Sequence, residues 1–197
     1  MGKLLFQGHG SYRIITNDGI VIYVDPFLGS GYDLVANIIL VTHEHNDHNH
    51  IELPSKNSET IIIRQDSLKL GTIYNKTHVF GVEIEAVEAY NKNHDKSCSV
   101  GYILRFDGVT IYASGDTSLT DDMKNKLPNY DIDYALLPID GIYNMDVKEA
   151  ILCADYIKAK HTIPIHMKPM ELFDLEMANK FIHESRLIVR AGEEIEL

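Results

Sequence analysis

Residues 41 to 50 of this 197-residue chain read Val-Thr-His-Glu-His-Asn-Asp-His-Asn-His, so four of its ten histidines fall in ten positions. They follow the apolar run Ile38-Ile39-Leu40-Val41 directly. Imidazole and carboxylate suit borderline divalent metals, zinc by default and manganese or iron as alternatives. His43, His45, Asp47 and His48 follow the pattern H-x-H-x-D-H. If the apolar run is a buried strand, the loop leaving it can aim His43 and His45 at one ion. Asp47 and His48, adjacent on the next turn, can face a second. The alternative is a solvated histidine-rich loop, and His50 fits that description better than it fits a ligand.

Two ions need more ligands than one loop offers. His94 lies just after the strand-like residues 82–87, Asp116 in Ser114-Gly115-Asp116-Thr117, and His166 in Ile163-Pro164-Ile165-His166. Each stands where an apolar strand gives way to a polar loop. If those strand ends share one rim, seven side chains converge. Without His94 the first site is incomplete and a single-metal enzyme becomes the alternative. Cys98 is a soft-ligand alternative nearby, though a small buried residue is the plainer reading. Lys168, two after His166, could meet an anionic substrate or could simply be an exposed lysine.

The elements that must position these residues are mostly strands. Residues 12–25 and 102–113 each read as strand, Asp-Gly turn, strand, and each second strand leads to an acid, Asp25 or Asp116. Tyr32-Asp33 and Tyr130-Asp131 then precede further apolar strands, near 37–41 and 134–137. The echo suggests two similar sheets packed face to face. Helices are expected late. One opens at 144–149 and runs to about 159, and a second is capped by Asp174, with shorter ones near 66–70 and 121–126. The fold class is α+β, a four-layer αββα sandwich of helix, sheet, sheet and helix.

Composition sets the outer bounds. An apolar content of 45% in 197 residues suits one buried core, and no low-complexity linker divides the chain, so residues 1–197 read as a single domain. No apolar run approaches the roughly 20 residues of a membrane span. The short apolar patch after Met1 is no signal peptide, which makes the cytoplasm the expected address. Cys98 and Cys153 form no CxxC pair. A formal charge of −11 argues against a broad grip on nucleic acid, yet leaves room for a small anionic substrate at a metal. A homo-oligomer stays open.

The ordered set of H-x-H-x-D-H, a later His, Gly-Asp-Thr and Ile-Pro-Ile-His resembles the metallo-β-lactamase-fold hydrolases. The resemblance runs from Gly8-His9-Gly10-Ser11 through Asp25-Pro26-Phe27-Leu28 to His166. Among subfamilies the chain looks most like small stand-alone hydrolases related to ascorbate-6-phosphate lactonase. The resemblance implies that His43, His45 and His94 bind one metal, that Asp47, His48 and His166 bind the second, and that Asp116 bridges them. It implies a metal-bound hydroxide as nucleophile, oriented by Asp47, so Asp47 and Asp116 are the candidate catalytic residues. Asp25 matches an aspartate that supports the ligand loop. His9 matches a G-H-x-S segment, with a supporting or substrate-facing role set against a plain strand-end histidine.

The resulting expectation is a metal-dependent hydrolase of a small-molecule ester, lactone or phosphodiester. A phosphodiesterase or nuclease of the same fold is the alternative within enzymes. Outside enzymes, the alternative is a non-catalytic metal-binding regulatory module.

Overall fold

The computed structural model describes residues 1–197. Two six-stranded sheets face each other. The first contains β1 (Lys3–Gly8), β2 (Ser11–Ile15), β3 (Val21–Val24), β4 (Ile38–Leu40), β5 (Ile61–Ile63) and β14 (Glu194–Glu196), in the order β14-β1-β2-β3-β4-β5. The second contains β8 (Lys76–Val79), β9 (Val82–Glu88), β10 (Val100–Phe106), β11 (Val109–Ala113), β12 (Tyr134–Pro138) and β13 (His161–Ile165), in the order β13-β12-β11-β10-β9-β8. A small hairpin, β6 (Lys69–Leu70) and β7 (Ile73–Tyr74), stands apart from both.

The two sheets repeat one plan. β2 and β3 form an antiparallel hairpin, and β4 and β5 then add parallel to β3. In the same way β10 and β11 pair antiparallel, and β12 and β13 add parallel to β11. The echo seen in the sequence is therefore architectural. Its turns differ, however. Asp107-Gly108 is a two-residue turn with φ of 52° and 78°, whereas the first hairpin stays paired to Thr16 and Ile20 and closes through a longer turn with only Gly19 at positive φ.

Side-chain alternation explains the layers. In β4, Ile38 and Leu40 enter the core of 23 residues between the sheets, while Ile39 turns the other way with Tyr23 and Val41. A second core of 18 residues lies between the outer face of the second sheet and the helices α1 (Asp121–Asn125), α2 (Val147–Ile157) and α3 (Leu175–Lys180). Thr120, Asp146 and Asp174 cap these helices by accepting from backbone N–H groups three residues on. The α+β sandwich stands, and its layer outside the first sheet is irregular chain rather than helix: Ala36, Ile51 and Tyr32 pack there. The expected helix at 66–70 does not form. Ser67 closes a turn onto Arg64, and Lys69 and Leu70 enter the β6–β7 hairpin around Gly71 at φ 61°. Five residues ending at a glycine cannot offset helix nucleation without a packed face.

Leu40 is fully buried in the strand that feeds the ligand loop, whereas Leu70 is 74% exposed. Leu40→Ala is expected to lower stability by about 2–5 kcal/mol through a cavity it cannot refill. Leu70→Ala should stay within about 0.5 kcal/mol. Urea denaturation of the two variants checks both values.

Candidate metal centre

Strands running parallel within a sheet end on the same side, so each repeat delivers its loops to one rim. β3 delivers Asp25 and β4 delivers residues 42–48. β11 delivers Asp116, β12 delivers Asp140 and β13 delivers His166. The β1–β2 turn adds His9, just beyond an irregularity in the pairing of Phe6 and Gly8, and the β9–β10 loop adds His94. Because the sheets face each other, the two rims meet.

Two groups of potential ligand atoms result, and a third set, Asp25, His43 and His48, straddles them. His43, His45 and His94 lie with their atoms within 4.8 Å of one another, and so do His9, Asp47, His48 and His166. Asp116 lies between them. Its Oδ1 is 3.3 Å from His48 Nε2, and its Oδ2 is 3.3 Å from His94 Nε2 and 3.5 Å from His166 Nε2. The structure thus brings together all seven residues singled out in the sequence, with His9 beside them. His50 contacts Asn46 and Glu52 instead, and His78 and His161 are exposed on the surface.

The other ring nitrogens decide what this cluster offers. His48 Nδ1 donates to Asp25 Oδ2 at 2.9 Å, and His94 Nδ1 donates to Asn91 Oδ1 at 2.9 Å. The Asn91 oxygen also accepts the backbone N–H groups of Asn93 and His94, which fixes the amide orientation. The Thr42 hydroxyl donates to Asp25 Oδ2 at 2.6 Å, leaving its lone pair to accept from His43 Nδ1 at 3.0 Å. His166 Nδ1 is 2.7 Å from Asp140 Oδ2, a close charge contact without a well-aligned hydrogen bond. In each case Nδ1 faces an oxygen acceptor, so Nε2 is the nitrogen left to face another ligand.

Those Nε2 atoms, on His43, His48, His94 and His166, are buried and make no hydrogen bond. Leaving a buried polar atom unsatisfied costs about 1–3 kcal/mol, and four such atoms, three of them within 3.5 Å of the Asp116 carboxylate, fit a metal centre far better than a packed core.

The chain matches the family model of the beta-lactamase superfamily domain over residues 3–166. It is 34% identical to a UPF0173 metal-dependent hydrolase of Pyrococcus furiosus, with 100% of both chains covered. The chain belongs to this family of metal-dependent hydrolases. A crystal structure described as a metal-dependent hydrolase from Parabacteroides distasonis superposes with a TM-score of 0.79 and 31% identity, over 96% of this chain and 93% of that one. The fold alone does not choose a reaction. A diiron beta-hydroxylase from Streptomyces venezuelae shares it with a TM-score of 0.73 at 13% identity, over 100% of this chain and 54% of that one.

Electrostatics divide the two groups of potential ligand atoms. Burial and the neighbouring His48 hold His43 well below the usual histidine range, and burial and His94 lower His45. Both are therefore neutral and ready to coordinate. Burial opposes charge on His48 too, but the carboxylates of Asp116 and Asp25 raise its pKa well above normal. Burial is likewise outweighed at His166, where Asp116 and Asp140 push the pKa up to about 9. For Asp116 burial works against the charge, yet His48 and His166 hold it well below the usual carboxylate range. At Asp47 burial is again opposed, by the rings of His166 and His9, and the carboxyl stays ionised.

Three of the eight non-glycine residues at positive φ lie at this centre. His9, Asp25 and His166 adopt φ of 56°, 45° and 44°, and such conformations persist where surrounding contacts impose them. His9 shows those contacts: its N–H donates to Leu172 O and its C=O accepts from His166 N. Its ring places Nδ1 3.2 Å from Glu171 O and Nε2 3.2 Å from Asp47 Oδ2. The glycine that follows is also constrained, since a Cβ on Gly10 would come within 2.9 Å of the His48 ring.

Asp140 is a supporting residue that sequence reasoning missed, along with Thr42 and Asn91. Its Oδ1 accepts the backbone N–H groups of Ile142, Tyr143 and Asn144, so the carboxylate is held rigidly beside His166. A signal was present: Asp140 follows β12 as the ligand loop follows β4, in the equivalent place of the second repeat. Asp140→Asn should weaken metal binding about 10–100-fold, measured by titration against a competing chelator.

A pH effect follows from His48 and His166. A group whose pKa is raised by folding adds stability that is complete below its ordinary value, 6.5 here, and is lost as pH rises through the folded value, about 9 for His166. His43 and His45 are depressed, so they act only below that window. The thermal midpoint of the chelator-treated protein should therefore fall between pH 6.5 and 9. The metal-loaded protein should not show this fall, because cations replace the protons. Melting curves with and without chelator across that range test the sign.

Proposed function

We propose that the protein hydrolyses a small-molecule ester, lactone or phosphodiester at a pair of divalent ions, zinc by default. The observation that carries this reading is the gathering of four buried Nε2 atoms that make no hydrogen bond, those of His48, His94 and His166 directly around Asp116 and that of His43 beside His45 and His94. His43, His45 and His94 would hold one ion, Asp47, His48 and His166 the other, and Asp116 both. Charge supports the number. Asp25, Asp47, Asp116 and Asp140 all contact the histidines, and their four negative charges match two divalent cations. When bound, such ions supply Lewis acidity and lower the pKa of a coordinated water to about 7.

The chain's own residues do the rest. Asp47 is partly exposed to a cavity of about 350 Å³ and is kept ionised by His9 and His166, so it can orient a water at its carboxylate. Asp25 and Thr42 lock the His43 and His48 rings, which removes reorganisation from the reaction. A cavity lying directly against the cluster favours an enzyme over a non-catalytic binding module. The charge of −11 weighs against polynucleotide substrates.

Elemental analysis of the purified, reconstituted protein should give two ions per chain, and an ester, lactone and phosphodiester panel should reveal turnover. Asp116→Ala should lower that turnover at least about 100-fold. Well under one ion per chain would sink the reading, as would two ions with no turnover across the panel.

A further inference from the structure

The substrate class can be narrowed from what lines the cavity. This step rests on the hydrolase reading above. Beyond the ligand residues, the wall consists of Asn46, Asn93, Tyr143, Pro169 and Met170. None of the chain's 18 lysines and arginines is among them. A phosphate or carboxylate substituent on a substrate is ordinarily met by a lysine or a bidentate arginine. Here only neutral amides, a phenol and apolar side chains are offered.

Three of the nearby cations are paired elsewhere. Lys168 pairs with Asp174 and Glu171, and Arg64 pairs with Glu44. Lys69 donates to the carbonyls of Lys96 and Ser99. Lys92 lines an adjoining recess, where Asp146 and Glu149 outnumber it. Glu44 and Asp95 line another recess that shares His45, Asn93 and His94 with the main cavity. Two divalent cations would be fully offset by Asp25, Asp47, Asp116 and Asp140, which leaves no excess positive charge to hold a distal anion. The whole chain adds a field of −11.

Apolar surface is present instead. Tyr143 and Met170 are 50% and 61% exposed at the edge of the cavity. Tyr143 is held in place because Asn91 and Asn93 both donate to its backbone carbonyl. An exposed aromatic and a methionine beside a polar centre provide a flat, adaptable wall for an apolar group.

We propose that the site takes an uncharged acyl substrate, a neutral ester or lactone whose apolar group lies against Tyr143 and Met170, and discriminates against phosphorylated and carboxylated analogues. Attack on the acyl carbon adds the elements of water across the C–O bond. The carbonyl carbon keeps the new oxygen, and the leaving alkoxide takes up a proton. Of the reaction classes proposed above, this selects ester and lactone over phosphodiester.

The test uses the metal-reconstituted full chain and two metal-chelating arylalkyl hydroxamates that differ only in a distal phosphate. Isothermal titration should show the neutral ligand binding at least about 10-fold tighter. Added salt should improve the phosphorylated ligand's affinity, because it screens a repulsion. Met170→Lys, at an exposed position, should shift the ratio toward the phosphorylated ligand by at least about 3-fold. A matched pair of neutral and phosphorylated lactones should show the same order in kcat/KM. If the phosphorylated member binds equally or better while hydrolysis proceeds, the substrate class is wrong and the hydrolase reading survives. If neither ligand binds and neither lactone turns over at full metal content, the hydrolase reading falls and this proposal with it.

Discussion

The Asp25 carboxylate is the contact on which the first half of the site depends. One oxygen accepts the backbone N–H of Thr42 at 2.7 Å, and the other accepts the Thr42 hydroxyl and His48 Nδ1. Through Thr42 it also fixes His43. A single buried anion thus sets where the ligand loop begins and which nitrogen two of its rings present. Its own backbone is held in turn, since Ser11 donates to Asp25 O and Asp25 N donates to Leu40 O. A buried carboxylate is tolerable only when its lone pairs are used, and here they are used by the parts that must not move.

The second repeat solves the same problem with different residues. Asp140 stands to His166 as Asp25 stands to His48, each an acid at a strand end contacting the Nδ1 of an imidazole. Asp116 then joins the halves, because it contacts His48 from the first repeat and His94 and His166 from the second. Packing and electrostatics are therefore not separable at this rim. The 23-residue core brings the sheets together, and the rim collects the charges that the core excludes.

Much of this was legible in the sequence because candidate ligands at strand ends leave a local mark. An apolar run followed by histidine or aspartate reads the same way at His43, Asp116 and His166, whatever the tertiary structure. Asp140 follows such a run too, but its importance comes from contact with a ring 26 positions away, and no local pattern carries that. Helix α2 was readable from its cap and its apolar spacing, although it stops at Ile157, where Lys158 turns left-handed at φ 58°. The helix expected at 66–70 failed because Lys69 and Leu70 pair locally with Tyr74 and Ile73 across the turn at Gly71. The irregular layer over Tyr23 and Ile39 was illegible for a related reason: a loop that packs has no period.

The pairing of β1 with β14 bears on how the protein is made. Lys3 lies opposite Glu196, and Glu194 contacts both Lys3 and Arg13. A sheet that joins residue 3 to residue 196 cannot be completed until residue 196 has left the ribosome. His166, needed from the far repeat, is also synthesised late. The first repeat, with its histidine-rich loop, must therefore wait with an open edge and unshielded imidazoles until the second arrives. Assembly of the centre is thus a late event, set by long-range closure and slow in the way that high contact order makes folding slow.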